Sequence, residues 1–332
     1  MAKQPKILII RFSSIGDIVL TTPVIRCLKK QLGADLHFLT KAAYTPILEA
    51  NPYLSKIHTI DKQNSPLAEV VAKLKKEDYD YIIDLHKNLR SWYTRWKLGT
   101  KSYAFQKLNF QKWLLTQFKV DKLPNIHIVD RYLNTTKKLG VQNDNLGLDY
   151  FVPAKDNLDP KTLNLRLQPN QYIAFVIGAT HSTKRLPAQK IKSICSKIDY
   201  PIVLIGAKGD QEAAKIVEQA GQQVINLCGQ LNLNQSASIV AQSHQVIAHD
   251  TGFMHIAAAF QKDIISIWGN TVPQFGMYPY YPTGGEKGRI VETPKLACRP
   301  CSKIGYSSCP KGHFQCMGNI DEQRVLDHLD LP

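Results

Sequence analysis

No run of about 18 or more apolar residues occurs in the 332-residue sequence, which excludes a membrane-spanning helix of ordinary length. The first apolar run, within KILIIRF at residues 6–12, is short and soon gives way to polar residues. It is too short for the hydrophobic core of a signal peptide, and it predicts a buried first strand instead. We therefore expect a cytoplasmic protein.

Acidic residues are scarce relative to basic ones. Twenty-seven Asp and Glu oppose 42 Lys and Arg, so the formal net charge is +15. This excess favours anionic partners such as nucleotides, acidic sugars, phospholipids or nucleic acid, although a solubilising coat of lysines would give the same total. With 44% hydrophobic and 21% charged residues, the composition excludes wholesale disorder. The length favours two domains, each large enough to bury its own core.

Apolar β-branched runs alternate with amphipathic stretches along the chain, which predicts an α/β protein with two parallel, doubly wound sheets. In the first half, strands are predicted at KILIIRF, ADLHFLT, KIHTID and YDYIIDLH, and a helix from Ile18 to Leu32 that Gly33 closes. The pattern restarts at YIAFVIGA, after a polar linker that contains prolines. We therefore expect an N-terminal domain at residues 1–155 and a C-terminal domain at residues 170–332.

The loop SSIGD follows the first predicted strand. Parallel sheets bind ligands beyond the carboxyl ends of their strands, where helix N-termini present free N–H groups to anions. The loop carries Ser14, Gly16, which permits a tight turn, and Asp17. The Asp17 carboxylate either caps the following helix or acts as a general base, and the spacing alone leaves both roles open.

Two loops of the same kind lie in the second half. GATHSTKRLP supplies Thr180 and Lys184 to a candidate phosphate-binding loop, although it lacks the Walker A order and is otherwise an exposed polar loop. HDTGFMH lies at a predicted helix N-terminus, and its candidate residues are Asp250, Thr251, Gly252 and His255. A lone histidine at such a position is usually structural, but the neighbouring aspartate and glycine favour a binding role.

A strongly basic stretch runs over residues 87–119. It has eight Lys and Arg, no acidic residue and three interleaved tryptophans. These features fit an acidic sugar acceptor, an anionic membrane surface or single-stranded nucleic acid, and equally a solvated basic face with the aromatic rings turned inward. Lys87 and Arg90, near the start of this stretch, are candidates for binding anionic groups.

Four cysteines crowd into the C-terminal region, at Cys298, Cys301, Cys309 and Cys316. The C-x-x-C pair suits a structural zinc ion, whereas the wider spacing of the second pair is loose for a zinc ribbon. Free thiols in a packed loop are the alternative, since cytoplasmic disulfides are disfavoured. We therefore treat zinc as a candidate structural ion without a catalytic role.

The triplet Asp78-Tyr79-Asp80 has the D-x-D pattern with which metal-dependent glycosyltransferases hold a divalent ion. It follows a charged helix end and leads directly into a predicted strand of the first half. We interpret it as a helix-to-strand junction, and we expect chemistry that needs no metal or other cofactor.

These motifs together resemble the lipopolysaccharide heptosyltransferases, the ADP-heptose-dependent inverting enzymes of glycosyltransferase family 9. The resemblance rests on ILIIRFSSIGDIVLTTP, DLHKNLRS, T-x-x-x-K-x-L-P, DTGFMHIAAA and the late C-x-x-C…C-P-x-x-H-x-x-C-M, and so covers most of the chain. It implies the GT-B arrangement, in which two Rossmann-like domains face each other across a cleft.

The resemblance also assigns roles to residues. Asp17 matches the proposed general base. The positions implied for the donor are Thr180, Lys184, Asp250, Thr251, Gly252 and His255, and those for the acceptor are Ser14, Gly16, Lys87 and Arg90. Leu186 departs from the family, which often has tryptophan there, and this leaves the stacking of the donor open.

We therefore predict a metal-independent inverting glycosyltransferase that moves a heptose from an ADP-sugar donor to a lipopolysaccharide core acceptor. Its expected location is cytoplasmic and peripheral to the anionic inner leaflet, without a nucleic-acid partner. One alternative is a relative that uses another nucleotide sugar in surface-glycan assembly. Another is a basic zinc-ribbon protein that binds nucleic acid, which would not require the paired donor loops.

Overall fold

The structure is a computed structural model that describes residues 4–164, 166–282 and 288–331. The chain divides into two compact units. Unit 1 comprises Met1–Lys107 and Ile126–Pro153, and unit 2 comprises Leu108–Asn125 and Ala154–Pro332. None of the helices within the described ranges is both long and apolar enough to cross a bilayer.

Unit 1 is built on a parallel sheet. The elements of the first part of the chain are β1 (Lys6–Ile10), α1 (Ile15–Val19), α2 (Thr22–Leu32), β2 (Asp35–Lys41), β3 (Lys56–Ile60), α3 (Leu67–Lys75), β4 (Tyr81–Asp84), α4 (Leu89–Leu98), β5 (Ser102–Ala104), α5 (Asn109–Phe118) and α6 (Ile128–Leu133). All except α5 belong to unit 1. The strands pair in parallel in the order β3-β2-β1-β4-β5.

Unit 2 has a second parallel sheet. Its further elements are α7 (Pro160–Leu163), β6 (Ile173–Val176), α8 (Ala188–Cys195), β7 (Ile202–Ile205), α9 (Gln211–Glu218), β8 (Val224–Asn226), α10 (Leu233–Ala241), β9 (Gln245–His249), α11 (Gly252–Ala259), β10 (Asp263–Trp268), β11 (Gly288–Glu292), α12 (Gln315–Gly318) and α13 (Glu322–Leu326). The order is β11-β10-β9-β6-β7-β8. This is the Rossmann order, and the prediction of two doubly wound α/β units is confirmed.

The central strands form because their side chains are apolar on both faces. Ile7–Ile10 in β1 and Ile202–Ile205 in β7 are buried without interruption. Helices cover both faces of such a sheet, so an alternating pattern of polar residues would leave polar groups in the core. In both units the strand order reverses beside the first strand, between β1 and β4 and between β6 and β9. These switch points are where doubly wound folds bind their ligands.

The helix predicted from Ile18 to Leu32 is two helices in the structure, and that prediction was wrong. The break falls between Val19 and Thr22. The hydroxyls of Thr21 and Thr22 donate to the carbonyls of Ile18 and Val19, at 2.6 and 2.7 Å. Such bonds compete with the helical ladder, and the following proline lacks an N–H group. Gly33 ends α2 in the left-handed conformation at φ +61°, as predicted.

The stretch around α5 packs with unit 2, although the chain on both sides of it belongs to unit 1. Leu115 is buried against Val272 and Phe275. The Lys119 ammonium donates to the carbonyl of Pro300 at 2.8 Å. Residues beyond Ala154 also belong to unit 2, so the compact units differ from a simple split of the chain between residues 155 and 170.

A buried arginine ties α2 to the segment that follows α6. Arg26 is 2% exposed, and its guanidinium makes two 2.8 Å contacts with the Asp144 carboxylate. It also forms a 2.5 Å ion pair with Asp149 and donates to the carbonyl of Gly147 at 2.8 Å. Removing one partner of such a network leaves uncompensated buried charge.

We expect Arg26→Met to destabilise unit 1 by about 3–5 kcal/mol, the usual cost of breaking a buried ion pair. Denaturant unfolding measures the loss. Lys75→Met, at an exposed position of α3, is the matched control and should change stability by less than about 0.5 kcal/mol. Equal stability of the two variants would contradict the structural role of Arg26.

Candidate active site

The carboxylate of Asp17 lies at the switch point of unit 1, where β1 ends and α1 begins. Its Oδ2 accepts hydrogen bonds from the Ser14 hydroxyl at 2.8 Å and from the Ser14 N–H at 3.1 Å. Ser14 is the N-cap of α1, and Gly16 is buried within that helix. The side chain of Asp17 is 22% exposed, so a substrate hydroxyl can reach it. Asp17 therefore takes part in capping α1, and its carboxylate stays accessible enough to act as a general base.

Arg11 holds the other oxygen of that carboxylate. Its Nη2 lies 2.5 Å from Asp17 Oδ1. The same guanidinium donates to the carbonyl of Ser13 at 2.8 Å, to the Tyr132 hydroxyl at 2.9 Å and to the carbonyl of Leu85. One buried cation therefore connects the ends of β1 and β4 with α6.

The pairing determines the charge state of Asp17. Burial by itself raises the pKa of Asp17, but the charge of Arg11 and the hydrogen bonds from Ser14 outweigh burial and hold the pKa below its ordinary value. The carboxylate is consequently ionised at neutral pH. It is available as a hydrogen-bond acceptor for a hydroxyl group.

The loop after β4 reaches the same switch point, because β4 is the neighbour of β1. The buried carboxylate of Asp84 accepts the N–H groups of His86 and Lys87, at 3.0 and 2.7 Å, and lies 3.1 Å from Arg95 Nε. These contacts hold Lys87 in the left-handed region at φ +49°. Lys87 and Arg90 are both exposed. The structure thus places Lys87 in the turn after β4 and Arg90 in the first turn of α4, both exposed.

His86 is a further polar group here that the sequence analysis did not single out. Its ring packs edge-on against Phe12, with the centroids 5.2 Å apart. Burial and the nearby charge of Arg11 lower the pKa of His86 to about 3, so the ring is neutral at pH 7. The sequence signals for it are its position at the end of a strand and its place in the DLHKNLRS segment.

In unit 2 the structure brings Lys184 and Asp250 together. Lys184 ends a 3-10 turn, Ser182–Lys184, after β6, and its ammonium lies 2.6 Å from Asp250 Oδ2. The Thr271 hydroxyl donates to the same oxygen at 2.7 Å. Both residues stand at the switch point between β6 and β9. The predicted donor residues Lys184 and Asp250 are therefore direct partners.

The remaining donor candidates occupy different environments. Thr251 is the N-cap of α11 and Gly252 is its first residue, so their N–H groups lie at a helix N-terminus. His255 is buried in the same helix, one turn further along. Thr180 is exposed in the loop after β6. The structure thus places Thr180 on the predicted loop.

Two contacts that sequence reasoning missed hold the loop of Lys184 in place. The fully buried His249 accepts the N–H of Leu186 at Nε2, at 3.0 Å, and burial with the charge of Arg185 lowers the pKa of His249 to about 3. Arg185 in turn pairs with Asp210 at 3.1 Å. The side chain of Leu186 packs into the core of unit 2. No local pattern identifies such partners, because they lie 25 or more residues apart.

Gly178 is required by close packing at the end of β6. A Cβ atom there would lie 2.3 Å from Oδ2 of Asp210, the partner of Arg185. The same carboxylate oxygen accepts the N–H of Ala207 at 2.9 Å. Any side chain at residue 178 would displace the Asp210 carboxylate from its contacts with Ala207 and Arg185.

The cysteine-rich segment contacts the donor loop. The hydroxyl of Thr183 accepts the N–H of Tyr306 at 2.8 Å and donates to its carbonyl at 3.1 Å. The four cysteines are free thiols, and burial, aided by Cys298 and Cys309, raises the pKa of Cys301 to about 11. Across the described part of the chain, no three of these sulfur atoms lie within 4.8 Å of one another. The zinc ion stays a prediction.

The D-x-D triplet lies where the helix-to-strand interpretation puts it. Asp78 is in the left-handed region at φ +52°, between α3 and β4. Asp80 accepts the N–H of Lys6 at 2.8 Å, where the neighbouring strands β1 and β4 begin. Neither residue belongs to a group of three potential metal ligands among the residues that the structure describes.

Known proteins share this sequence pattern and fold. The model of glycosyltransferase family 9 (heptosyltransferase) matches residues 67–307. Lipopolysaccharide heptosyltransferase 1 of Campylobacter coli is 24% identical over 97% of both chains, and the Pseudomonas aeruginosa enzyme of the same name is 24% identical over 98% of this chain and 97% of its own.

Solved structures confirm the fold. The glycosyltransferase family 9 protein of Veillonella parvula has a TM-score of 0.78 at 22% identity and covers 99% of this chain and 97% of its own. The ADP-heptose lipopolysaccharide heptosyltransferase II of Escherichia coli has a TM-score of 0.72 at 19% identity and covers 97% of both. Because the family model spans well over half of the sequence, the chain belongs to glycosyltransferase family 9, the heptosyltransferase family.

Proposed function

We propose that the protein transfers heptose from ADP-heptose to the core of lipopolysaccharide, with inversion at the anomeric carbon. The observation that carries the proposal is the ionised, solvent-accessible Asp17 at the switch point of unit 1. Family membership supports the choice of sugar, since the similar E. coli structures are of an ADP-heptose enzyme and of the heptosyltransferase WaaC with ADP-2-deoxy-2-fluoro heptose.

In the proposed reaction, Asp17 accepts the proton of an acceptor hydroxyl as its oxygen attacks the anomeric carbon. The bond from that carbon to the diphosphate breaks on the opposite face, and ADP leaves. Arg11 keeps the carboxylate ionised and oriented. Ser14 and Gly16 line the same turn, and Lys87 and Arg90 present cations for acidic groups of the acceptor.

Unit 2 supplies the charge that the leaving diphosphate needs. Asp250 directly precedes Thr251, the N-cap of α11, so its ion pair holds the Lys184 ammonium beside that helix N-terminus. A cation and free helix N–H groups stabilise a diphosphate anion. Gly252, His255 and Thr180 complete the proposed donor set. Because the Lys184 ammonium and the helix N–H groups supply positive charge, we propose that transfer needs no divalent cation.

Asp17→Asn separates the base from the cap. Asparagine retains an oxygen that accepts the Ser14 hydrogen bonds, but it cannot take up a proton. We expect transfer to fall by about 10²–10⁴, the usual contribution of a general base, while donor affinity is retained. A transfer assay with ADP-heptose and a purified core acceptor, run with and without chelator, measures both the loss and any need for a metal.

The matched control is Asp321→Asn. Asp321 caps α13 and accepts the N–H of Gln323 at 3.0 Å, so it has the capping role alone. Its substitution should leave transfer unchanged. If Asp17→Asn retains more than about a tenth of the activity, Asp17 is only a cap.

Lys184→Met tests the donor site. Loss of a charge-assisted contact to the diphosphate should weaken ADP-heptose binding by roughly 10- to 100-fold in calorimetry. Lys190→Met is the control, because Lys190 also pairs with a carboxylate, Glu322 at 3.5 Å, but lies outside the donor loop. Equal affinities of the two variants would remove Lys184 from the site.

Tighter binding of a UDP- or GDP-sugar than of ADP-heptose by the unaltered protein would favour the alternative donor.

We further propose that α4, in unit 1, binds the anionic surface of a membrane. On α4, Leu89, Trp92 and Trp96 are 85%, 54% and 60% exposed, which overturns the alternative of inward-turned rings. The two indoles stack at 6.0 Å, and the Lys97 ammonium lies 4.6 Å from the Trp96 ring. α5 belongs to unit 2, and its Phe110, Trp113 and Phe118 are exposed within that unit. Exposed aromatic rings beside cations are typical of interfacial helices.

Flotation of the protein with lipid vesicles tests this proposal. The variant replaces two exposed cations, Lys97 in α4 and Lys101 just after it. Arg95 is unsuitable because it pairs with Asp84. Each cation near an anionic bilayer contributes about 1 kcal/mol of electrostatic attraction, which salt weakens by screening. We expect flotation with phosphatidylglycerol vesicles but not with neutral ones, and a clear loss in the double variant Lys97→Gln/Lys101→Gln.

Lys208→Gln/Lys215→Gln removes the same charge from exposed positions of unit 2 and should float like the unaltered protein. Transfer to a soluble, lipid-free acceptor should survive in both variants. Binding of the protein to oligonucleotides is measured in parallel. Tight oligonucleotide binding without a preference for anionic vesicles would contradict the membrane proposal and favour the nucleic-acid alternative.

A further inference from the structure

A cluster of polar side chains lies within unit 1, away from the candidate active site. His37 on β2 and His58 on β3 face the same side of the sheet, since Leu39 pairs with His58 and lies two residues beyond His37. The apolar cluster that covers this side includes Leu39 and Tyr79. The histidines follow the first residues of their strands closely, whereas Asp17 lies beyond the carboxyl end of β1. The cluster therefore lies nearer the end of the sheet where the strands begin, whereas Asp17 lies at the end where they finish.

The donor atoms of the cluster converge. His37 Nδ1 and His58 Nε2 are 3.1 Å apart, and the Tyr79 hydroxyl lies 2.8 Å from the first and 3.1 Å from the second. Two nitrogen ligands at about 2.05 Å from a tetrahedral zinc ion are about 3.3 Å apart. The two rings thus already have nearly the separation that a shared metal ion imposes, on two adjacent strands.

A carboxylate completes the set. One ligand atom each from His37, His58 and Glu77 lies within 4.8 Å of the other two. The Glu77 oxygens pair with Lys6 and Lys56, each at 2.5 Å. A carboxylate has about four lone-pair positions, and the half-exposed Lys56 can move into solvent, so Glu77 can bind an ion while keeping its contact with Lys6.

We propose that His37, His58 and Glu77 form a binding site for a divalent transition-metal ion of the zinc class. Two imidazoles and one carboxylate are a ligand set that zinc accepts, with a fourth position left for water or for the Tyr79 oxygen. Ligating histidines must be neutral. Bound metal would fasten the edge strand β3 to β2.

Cobalt titration of the full-length protein tests the proposal, because the cysteine-rich segment of unit 2 is a competing thiolate site. A nitrogen and oxygen site gives weak d–d absorption without the intense sulfur-to-cobalt charge transfer of thiolates. We expect one equivalent of this thiolate-free absorption, displaced by zinc. His58→Gln should weaken binding by about tenfold or more, and His37→Gln should do the same. His328→Gln, a partly exposed histidine of unit 2, is the control and should bind as the unaltered protein does.

Absence of thiolate-free binding, or binding unchanged in both cluster variants, would overturn the proposal. Circular dichroism establishes whether the variants fold. Imidazole NMR signals of the unaltered protein make the test independent of the variants. Saturating zinc should shift the ring signals of His37 and His58. If those signals do not move, the cluster is a hydrogen-bonded triad only.

Discussion

The ion pair between Arg11 and Asp17 is the interaction on which the candidate site of unit 1 depends. The guanidinium is buried at the end of β1, and it reaches the Asp17 carboxylate, the carbonyl of Leu85 and the hydroxyl of Tyr132. It therefore fixes the start of α1 against the neighbouring strand end. Burial alone would favour a protonated Asp17, and the arginine reverses that preference.

Both units use the same physical arrangement at the point where their strand order reverses. In unit 1 a carboxylate is held by a cation, and in unit 2 the cation Lys184 is held by the carboxylate of Asp250. Parallel strands leave free N–H groups and loop side chains at this end of the sheet, so an ion pair there fixes a charged group beside a helix N-terminus. In the proposed reaction the first carboxylate is the base, and the second pair belongs to the donor loop.

Sequence reasoning located the strands because Ile7–Ile10 and similar runs are buried on both faces, and it located the loops because they follow those runs. It did not predict the bond from Leu186 to His249, or the fit of Asp210 against Gly178, because such contacts join distant residues and have no local pattern. The same reason explains why α5 could not be assigned to unit 2, since Leu115 meets its partner Val272 only in the folded chain.

The charge state of Asp17 is the most direct test of this account. Carbon-13 NMR of labelled aspartate carboxyl groups, with the Asp17 signal identified by its absence in Asp17→Asn, measures the titration midpoint. The account predicts a midpoint below the ordinary value of about 3.9 for aspartate, and hence an ionised carboxylate throughout the neutral range. A midpoint at or above that value would contradict it, because Arg11 would then not control the carboxylate.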